Sequence, residues 1–444
     1  VRQSNDGMLG AMPVPRLVVT MSLPIMLSML ISAVYNLVDS VYVAQYSDEA
    51  FLALSYAYPI QMLLVAFCSG IGVGFSAIFS RRLGEGDQEQ AASAVCHGFF
   101  LYGLCWLLFL LFALTGAAPF LRLSTEDPSV ARQGAQYLLI CCGLSIGTCM
   151  QFLTERILQA MGRPAGFMIV QGSGAILNLI LDPIFIFVLD LGVAGAAAAT
   201  VIGQISGALI GFWLVYRLRR QLPIRLRGFR PRGEMLAEMG RVAAPAVVMQ
   251  SLSSFMSLGL NQLLTRWSES AVFVLGAYFK LQTFIFMPIF GISSGLIPIL
   301  SYNYGSGALR RVSASVRFGQ QFTAVLSLSG ALLLSLLASP LLRSAFRASP
   351  EALAMGAPAL RIIALSFFFA GTSIIFCSAF QSLGRSRWSL LVALLRQILL
   401  LLPAAALLLA LKPALVWAAF PLSELISCFA AALLYRRTIQ KQLL

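Results

Sequence analysis

Gly172 to Val188 reads GSGAILNLILDPIFIFV, an apolar run that carries one amide, Asn178, and one carboxylate, Asp182. Four residues separate them, so on a helix they share a face with Gln171 and Gly174 and make one polar stripe on an apolar rod. An ionised carboxylate is costly in hydrocarbon. Such residues face a bundle interior or a water-filled cavity and mark ion or substrate paths. The stretch therefore predicts a membrane-spanning helix with a functional face.

The surrounding composition agrees. Of 444 residues, 59% are hydrophobic and 11% charged, and the mean hydropathy is +0.85, outside the range of water-soluble domains. About 20 apolar residues cross a bilayer as a helix. Twelve such segments are legible, at roughly 17–44, 52–79, 93–118, 133–158, 165–189, 194–216, 242–265, 271–300, 316–339, 359–382, 387–410 and 414–435. Their runs lack the alternation of barrel strands, so the fold class is an all-α polytopic membrane protein.

A net charge of +14 could point to nucleic acid. With an inside N-terminus, however, 23 of the 31 Lys and Arg fall on one side of the membrane, 7 on the other, and Lys280 within a helix. That asymmetry is the positive-inside signature and places both termini in the cytoplasm. The charge orients the chain, and no nucleic-acid partner is expected. Val1 to Pro15 is polar and the first apolar run too long for a signal-peptide core, so no cleavable signal is expected. Eight cysteines without a CxxC pair read as buried small hydrophobes. The lone histidine, His97, reads as a packed residue bonded to a neighbour, which argues against a histidine metal site.

A second polar stripe runs along the first helix through Ser28, Ser32, Asn36 and Asp39. Glu155, near the end of helix four, is either a third intramembrane acid or a local partner of Arg156 or Arg163. Between helices six and seven lies RLRRQLPIRLRGFRPRGEMLAEMGR, a basic cytoplasmic linker. The organisation expected is an N-terminal segment 1–16, a bundle 17–216, the linker 217–241, a second bundle 242–435 and a tail 436–444.

The halves repeat. Pro24 to Val95 laid on Pro245 to Val316 gives 15 identities in 72 positions. Seven of these fall where GIxxGxxxIxSxxxGxG occurs twice, from Gly70 and from Gly291. At an offset of 222, QAMGR at Gln159–Arg163 matches QSLGR at Gln381–Arg385. Two six-helix bundles of one orientation follow, related by an axis along the membrane normal. The acids are not duplicated: Asp39 maps to Leu260, Asn178 to Leu400 and Asp182 to Ala404. Carboxylates needed only for packing should recur in both bundles, so their restriction to one favours ion coupling. Lys280 reads as a counter-ion or a donor to free carbonyls near Pro288, and Glu424 as a cap for the turn after Pro421. Gln61 and Gln282 coincide in the repeat, as polar points on facing walls or as interhelical ties.

LPIMLSMLISAVYNLVDSVYVAQ, LQAMGR followed by NLILDPIFIF, and PIFGISSGLIPILSYNYG together resemble the multidrug and toxic compound extrusion transporters, from about residue 13 to 436. The resemblance implies a V-shaped pair of six-helix bundles exporting lipophilic, mostly cationic compounds in exchange for protons or sodium ions. Its coupling residues would be Asp39, Asn178 and Asp182, with Tyr137 and Thr200 lining the pocket and sodium possible at the first three. Glu155 stands where an amide is common, and Ser253 where one branch carries a second-bundle glutamate. Substrate contacts are expected from Tyr35, Asn36, Asp39, Gln61, Met62, Gln171, Met256 and Gln282, with Phe255 and Phe286 as further aromatic walls.

The expectation is a monomeric antiporter in the bacterial inner membrane, without cofactor beyond the coupling ion and with small organic cations as cargo. The alternative is a flippase for a lipid-linked sugar or peptidoglycan precursor, whose anionic cargo should call for more intramembrane cations than Lys280. No DDxxD, HExxH or GxSxG motif supports an enzyme.

Overall fold

The computed structural model describes residues 8–218, 229–344, 346 and 348–440. The middle of the basic linker, the first seven residues and the last four lie outside them. Among the described residues the chain is helical and no strand occurs. Ten helices are long and apolar enough to span a bilayer, and two bent pairs bring the number to twelve.

In chain order the spans are α1 (Val14–Tyr46), α2 (Asp48–Gly84), α3 (Gln88–Thr115), α4 (Pro128–Gly143 continued by Ile146–Ala160), α5 (Pro164–Pro183) and α6 (Gly192–Arg217). They continue with α7 (Gly233–Thr265), α8 (Glu269–Gly305), α9 (Leu309–Ser344) and α10 (Pro350–Ala364 continued by Phe367–Ser382). The last are α11 (Ser386–Leu394 continued by Leu401–Leu411) and α12 (Ala419–Tyr435).

Local signals set the ends, and they recur at the repeat offset. Ser47 caps α2 by accepting from the Ala50 N–H, and Ser268 caps α8 by accepting from Ser270. Gly86 and Gly307 end the same two helices at φ of 77° and 75°, a region closed to most side chains. Gly162 and Gly384, in the QxxGR turns, both sit at φ 72°. The two bends are equivalent as well. Each is 43°, and each falls on a Leu-Ser pair, Leu144–Ser145 and Leu365–Ser366. There the serine hydroxyl donates to the carbonyl three residues back, Cys142 O at 2.7 Å and Ile363 O at 2.6 Å.

Two compact units result. Unit 1 holds Leu27–Val247 with the described part of Val1–Ala11, and unit 2 holds Met12–Met26 with Val248–Leu444. The two switch points, after Met26 and after Val247, are repeat equivalents, and each follows a helix-interior proline, Pro24 or Pro245. A proline removes one ladder hydrogen bond and lets the helix change direction there.

The core of unit 1 is built around Phe75, Phe79, Tyr102, Tyr137, Leu121 and Leu153. Around it Arg82 grips Glu238 at 2.8 Å and Glu85 at 3.0 Å. His97 is packed as expected. Its Nε2 accepts from the Arg232 N–H at 2.8 Å, its Nδ1 donates to Ser93 O at 2.8 Å, and Phe229 stacks edge-on against the ring. The core of unit 2 is built around Leu260, Tyr278, Leu342, Phe367, Trp417 and Phe420.

Candidate functional site

Helix α5 begins on Pro164, whose fixed φ suits a first turn. It runs to Pro183, beyond which Ile184–Val188 widens into a π turn. Asn178 is 3% exposed and Asp182 0%, so the polar stripe faces the unit's interior and not lipid. A glycine contact with the middle of α6 explains how. A Cβ on Gly174 would come 2.9 Å from Gly203 O, and one on Gly203 would come 2.7 Å from Gly174 O. Backbones in such contact need glycine on both sides. The close crossing brings α6 to the stripe, where the Asn178 Nδ2 amide donates to Thr200 Oγ1 at 3.4 Å and to Asp182 Oδ1 at 3.1 Å.

Helix α1 supplies the second acid. The Asp39 and Asp182 carboxyls lie within hydrogen-bonding reach of one another. Apart from that mutual contact, Asp39 Oδ1, Asp182 Oδ2 and Asn178 Oδ1 are buried with no hydrogen-bond donor among the described residues. No ion pair reaches either acid there. Ion pairs among the described residues join Arg81 and Arg82 to Glu85 and Glu238, and Arg396 to Glu424. Two facing carboxyls and an amide oxygen thus form an acceptor-only cluster, and buried negative charge of this kind calls for a proton or a cation.

Beside the cluster is a cavity of about 20 Å³ lined by Tyr35, Gln151, Gln171, Asn178, Thr200 and Gln204, room for about one water. Gln151 Nε2 donates to Gln171 Oε1 at 3.3 Å and to Glu155 Oε1 at 2.9 Å. Gln171 Nε2 in turn donates to Ser32 Oγ at 2.6 Å on α1. Glu155, 2% exposed, is therefore one amide away from the cavity. Tyr35 lies within electrostatic reach of all three acids. Tyr137 donates to Gln61 Oε1 at 3.2 Å and feels the charge of Asp39. Asn36, exposed, donates to Ser32 O at 2.8 Å.

Asp39, Asn178 and Asp182 lie within a stretch that a known family matches, while Thr200 and Gln204 fall just beyond it. The family profile described as MatE matches residues 24–184 and 245–407, one stretch in each half. The chain belongs to the MatE family, the multidrug and toxic compound extrusion proteins. Among its relatives, the multidrug export protein MepA of Staphylococcus aureus (strain MRSA252) is 26% identical over 402 residues, 88% of this chain and 86% of its own. A protein named FAD transporter from Shewanella oneidensis is 26% identical over 421 residues, 91% of this chain and 90% of its own. In three dimensions the chain superposes on a multidrug resistance MATE family transporter of the MOP superfamily with a TM-score of 0.92 at 23% identity, covering 99% of each chain.

In this MatE protein the remaining candidates are spread out. Met62 is half-buried on α2 of unit 1. In unit 2, Gln282 is half-buried on α8, Met256 packs on the core, Phe255 is 61% exposed, and Phe286 stacks on Phe367. Ser253 is exposed and bonds Gln250 O on its own helix.

Two expectations need correction. Glu424 is not a turn cap: Arg396 Nε and Nη2 grip its two oxygens at 2.7 and 2.9 Å, the fork geometry guanidinium favours. Lys280 is exposed and makes no ion pair among the described residues, so it is no buried counter-ion. Arg156 is a buried cation instead, and Arg396 is largely enclosed, with 11% of its side chain exposed. Glu155 stays buried within the membrane span: its i,i+4 neighbour Gln151 donates to it at 2.9 Å, and Arg156, whose charge it also feels, bonds Gln159 at 3.0 Å.

The sequence reading missed Gln151 and Gln204. Each stands four residues from a recognised polar residue, Glu155 or Thr200, and that spacing was the available signal.

Proposed function

We propose that this MatE protein is a secondary multidrug exporter, trading lipophilic organic cations for protons or sodium ions at Asp39 and Asp182. The observation that carries the reading is the acceptor-only cluster: buried oxygens of Asp39, Asp182 and Asn178 with no donor or cation from the described protein. Its charge can be neutralised by a proton, by sodium or by the cationic end of a drug, and by only one of them at a time. Deprotonated from the cytoplasmic side, the pair attracts the drug. Protonation or sodium binding from outside neutralises the pair and lets the drug leave. Competition for shared negative charge is sufficient to couple the two fluxes when access alternates. Tyr137 and Thr200 position the cluster, and Glu155, joined to the cavity through Gln151, adds a third exchangeable charge. Tyr35, Met62 and the second-unit residues Met256 and Gln282 are adaptable contacts for unlike drugs.

The names of the MepA relatives support the export reading. Bacterial relatives and the basic asymmetry of the loops support an inner-membrane protein with both termini in the cytoplasm. The test is export of ethidium from proteoliposomes under a pH gradient alone and under a sodium gradient alone. Export under one identifies the coupling ion. Export under neither, with the protein intact, overturns antiport.

The relative named FAD transporter favours a second reading, in which the cargo is an anionic flavin nucleotide. The same vesicles answer it. FAD export without cation export would replace the first reading and would return weight to the lipid-linked precursor flippase as well.

A further inference from the structure

Cys68 of α2, Cys105 of α3 and Cys149 of α4 come from three different helices and meet in the core of unit 1. Their Sγ atoms all lie within 4.8 Å of one another, with Cys68 and Cys149 3.7 Å apart. They are 0%, 4% and 0% exposed. We propose that these three thiols form a binding site for a trivalent thiophilic ion, arsenic(III) or antimony(III).

Geometry supports three-coordination. Sulfurs about 2.3 Å from a shared centre stand about 3.5 Å apart in the pyramid that the lone pair of a trivalent ion imposes, so side-chain motion of about an ångström completes the set. No His, Asp or Glu joins the cluster among the described residues. The nearby Tyr102 hydroxyl is already committed to Cys68 O at 2.9 Å. Zinc, which prefers a fourth ligand, is therefore poorly served. Thiolates select soft ions in any case.

Charge narrows the choice further. Three thiolates around zinc keep one negative charge and around copper(I) keep two, and burying a net charge in this apolar core is costly. A trivalent centre leaves none. The exchange balances as As(OH)₃ + 3 R–SH → As(SR)₃ + 3 H₂O. Three As–O bonds break, three As–S bonds form, each thiol proton leaves with a hydroxide as water, and no atom changes oxidation state. Reactant and product are both neutral, so entry and residence avoid the desolvation of an ion.

The full chain, purified in detergent and reduced, is mixed with sodium arsenite and desalted. One arsenic per chain is expected by elemental mass spectrometry, with three sulfur neighbours and no oxygen by X-ray absorption. Cys68→Ser, Cys105→Ser and Cys149→Ser should each weaken binding by about 100-fold or more, the effect of losing one of three linked ligands. The adjacent pair Cys141 and Cys142, outside the cluster, can both become serine without loss. Wild-type protein that retains no arsenic, an arsenic with two sulfurs, or retention by the triple serine variant overturns the site. The absorption measurement needs no variant, so a folding failure in a serine mutant does not blunt it.

Discussion

Asn178 donates its amide to Asp182, Nδ2 to Oδ1 at 3.1 Å, one helical turn along α5. The same nitrogen also serves Thr200, so the amide's donor end is spent on the cluster's frame and its oxygen is left as a third acceptor beside the two carboxyls. Asn178 thereby holds one acid in place while adding no positive charge to it.

Asp39→Asn and Asp182→Asn are expected to abolish export of ethidium-like dyes while the protein stays in the membrane, because either change removes half of the negative charge that proton and drug share. Asn178→Ala should reduce export less, since it removes an acceptor and a tether but no charge. Dye accumulation in cells, with immunoblots of membranes, measures this. Full transport by both aspartate variants ends the mechanism.

Dye binding should weaken as pH falls. A proton on either carboxyl removes the charge that attracts the cation, so affinity is highest where both acids are free of protons and declines with acidification. Fluorescence titration of ethidium at a series of pH values tests it. Asp182→Asn should flatten the dependence, and an affinity that rises on acidification contradicts the proposed competition.

Gly203→Ala should cost about 1–3 kcal/mol of stability, the usual penalty for overpacking, because its Cβ would stand 2.7 Å from Gly174 O. It should also impair export, by pushing Thr200 away from Asn178. Gly172→Ala, on the same helix as Gly174 with nothing within 4 Å of its Cβ, is the matched control. Thermal unfolding in detergent separates the two. Equal melting temperatures would mean that the helices do not cross this closely.

Arg396→Met should destabilise unit 2 by about 3–5 kcal/mol, since it strands the Glu424 carboxylate. Arg396→Met with Glu424→Met should recover most of that loss, because an apolar pair replaces the ionic one. A thermal-melt double-mutant cycle reads the coupling. Additive losses would show that the 2.7 Å contact is energetically idle.

The polar stripes at Ser32–Asn36–Asp39 and Gln171–Asn178–Asp182 could be read from spacing alone, because helical periodicity fixes which residues share a face. The twelve spans and the repeat were legible for a similar reason: bilayer thickness and turn chemistry act on contiguous residues. Both 43° bends went unread, although Leu144–Ser145 and Leu365–Ser366 are repeat equivalents. Nothing in two residues out of an apolar run distinguishes a bend from a straight turn.

Pairing across helices was beyond reach. Carrying the 222 offset along the chain, Gly174 maps to Arg396 and Ile202 to Glu424, so one helix crossing is closed by backbone contact in unit 1 and by an ion pair in unit 2. Glu424 was read as a cap because its partner lies 28 residues away. Likewise Cys68, Cys105 and Cys149 looked like separate small hydrophobes until three helices brought their sulfurs together.

The sequence by itself determined that this chain crosses the membrane about twelve times, that it is duplicated, and that Asp39 and Asp182 belong to one half. Those properties follow from hydropathy, charge and period, which are local or additive along the chain. Only the tertiary structure decided that Asp39 meets Asp182, that Gln151 links Glu155 to their cavity, and that Arg396 satisfies Glu424. A side chain's partners depend on how close two helices pack and how each is rotated. Those depend in turn on glycine contacts such as Gly174 against Gly203, which involve residues far apart in sequence.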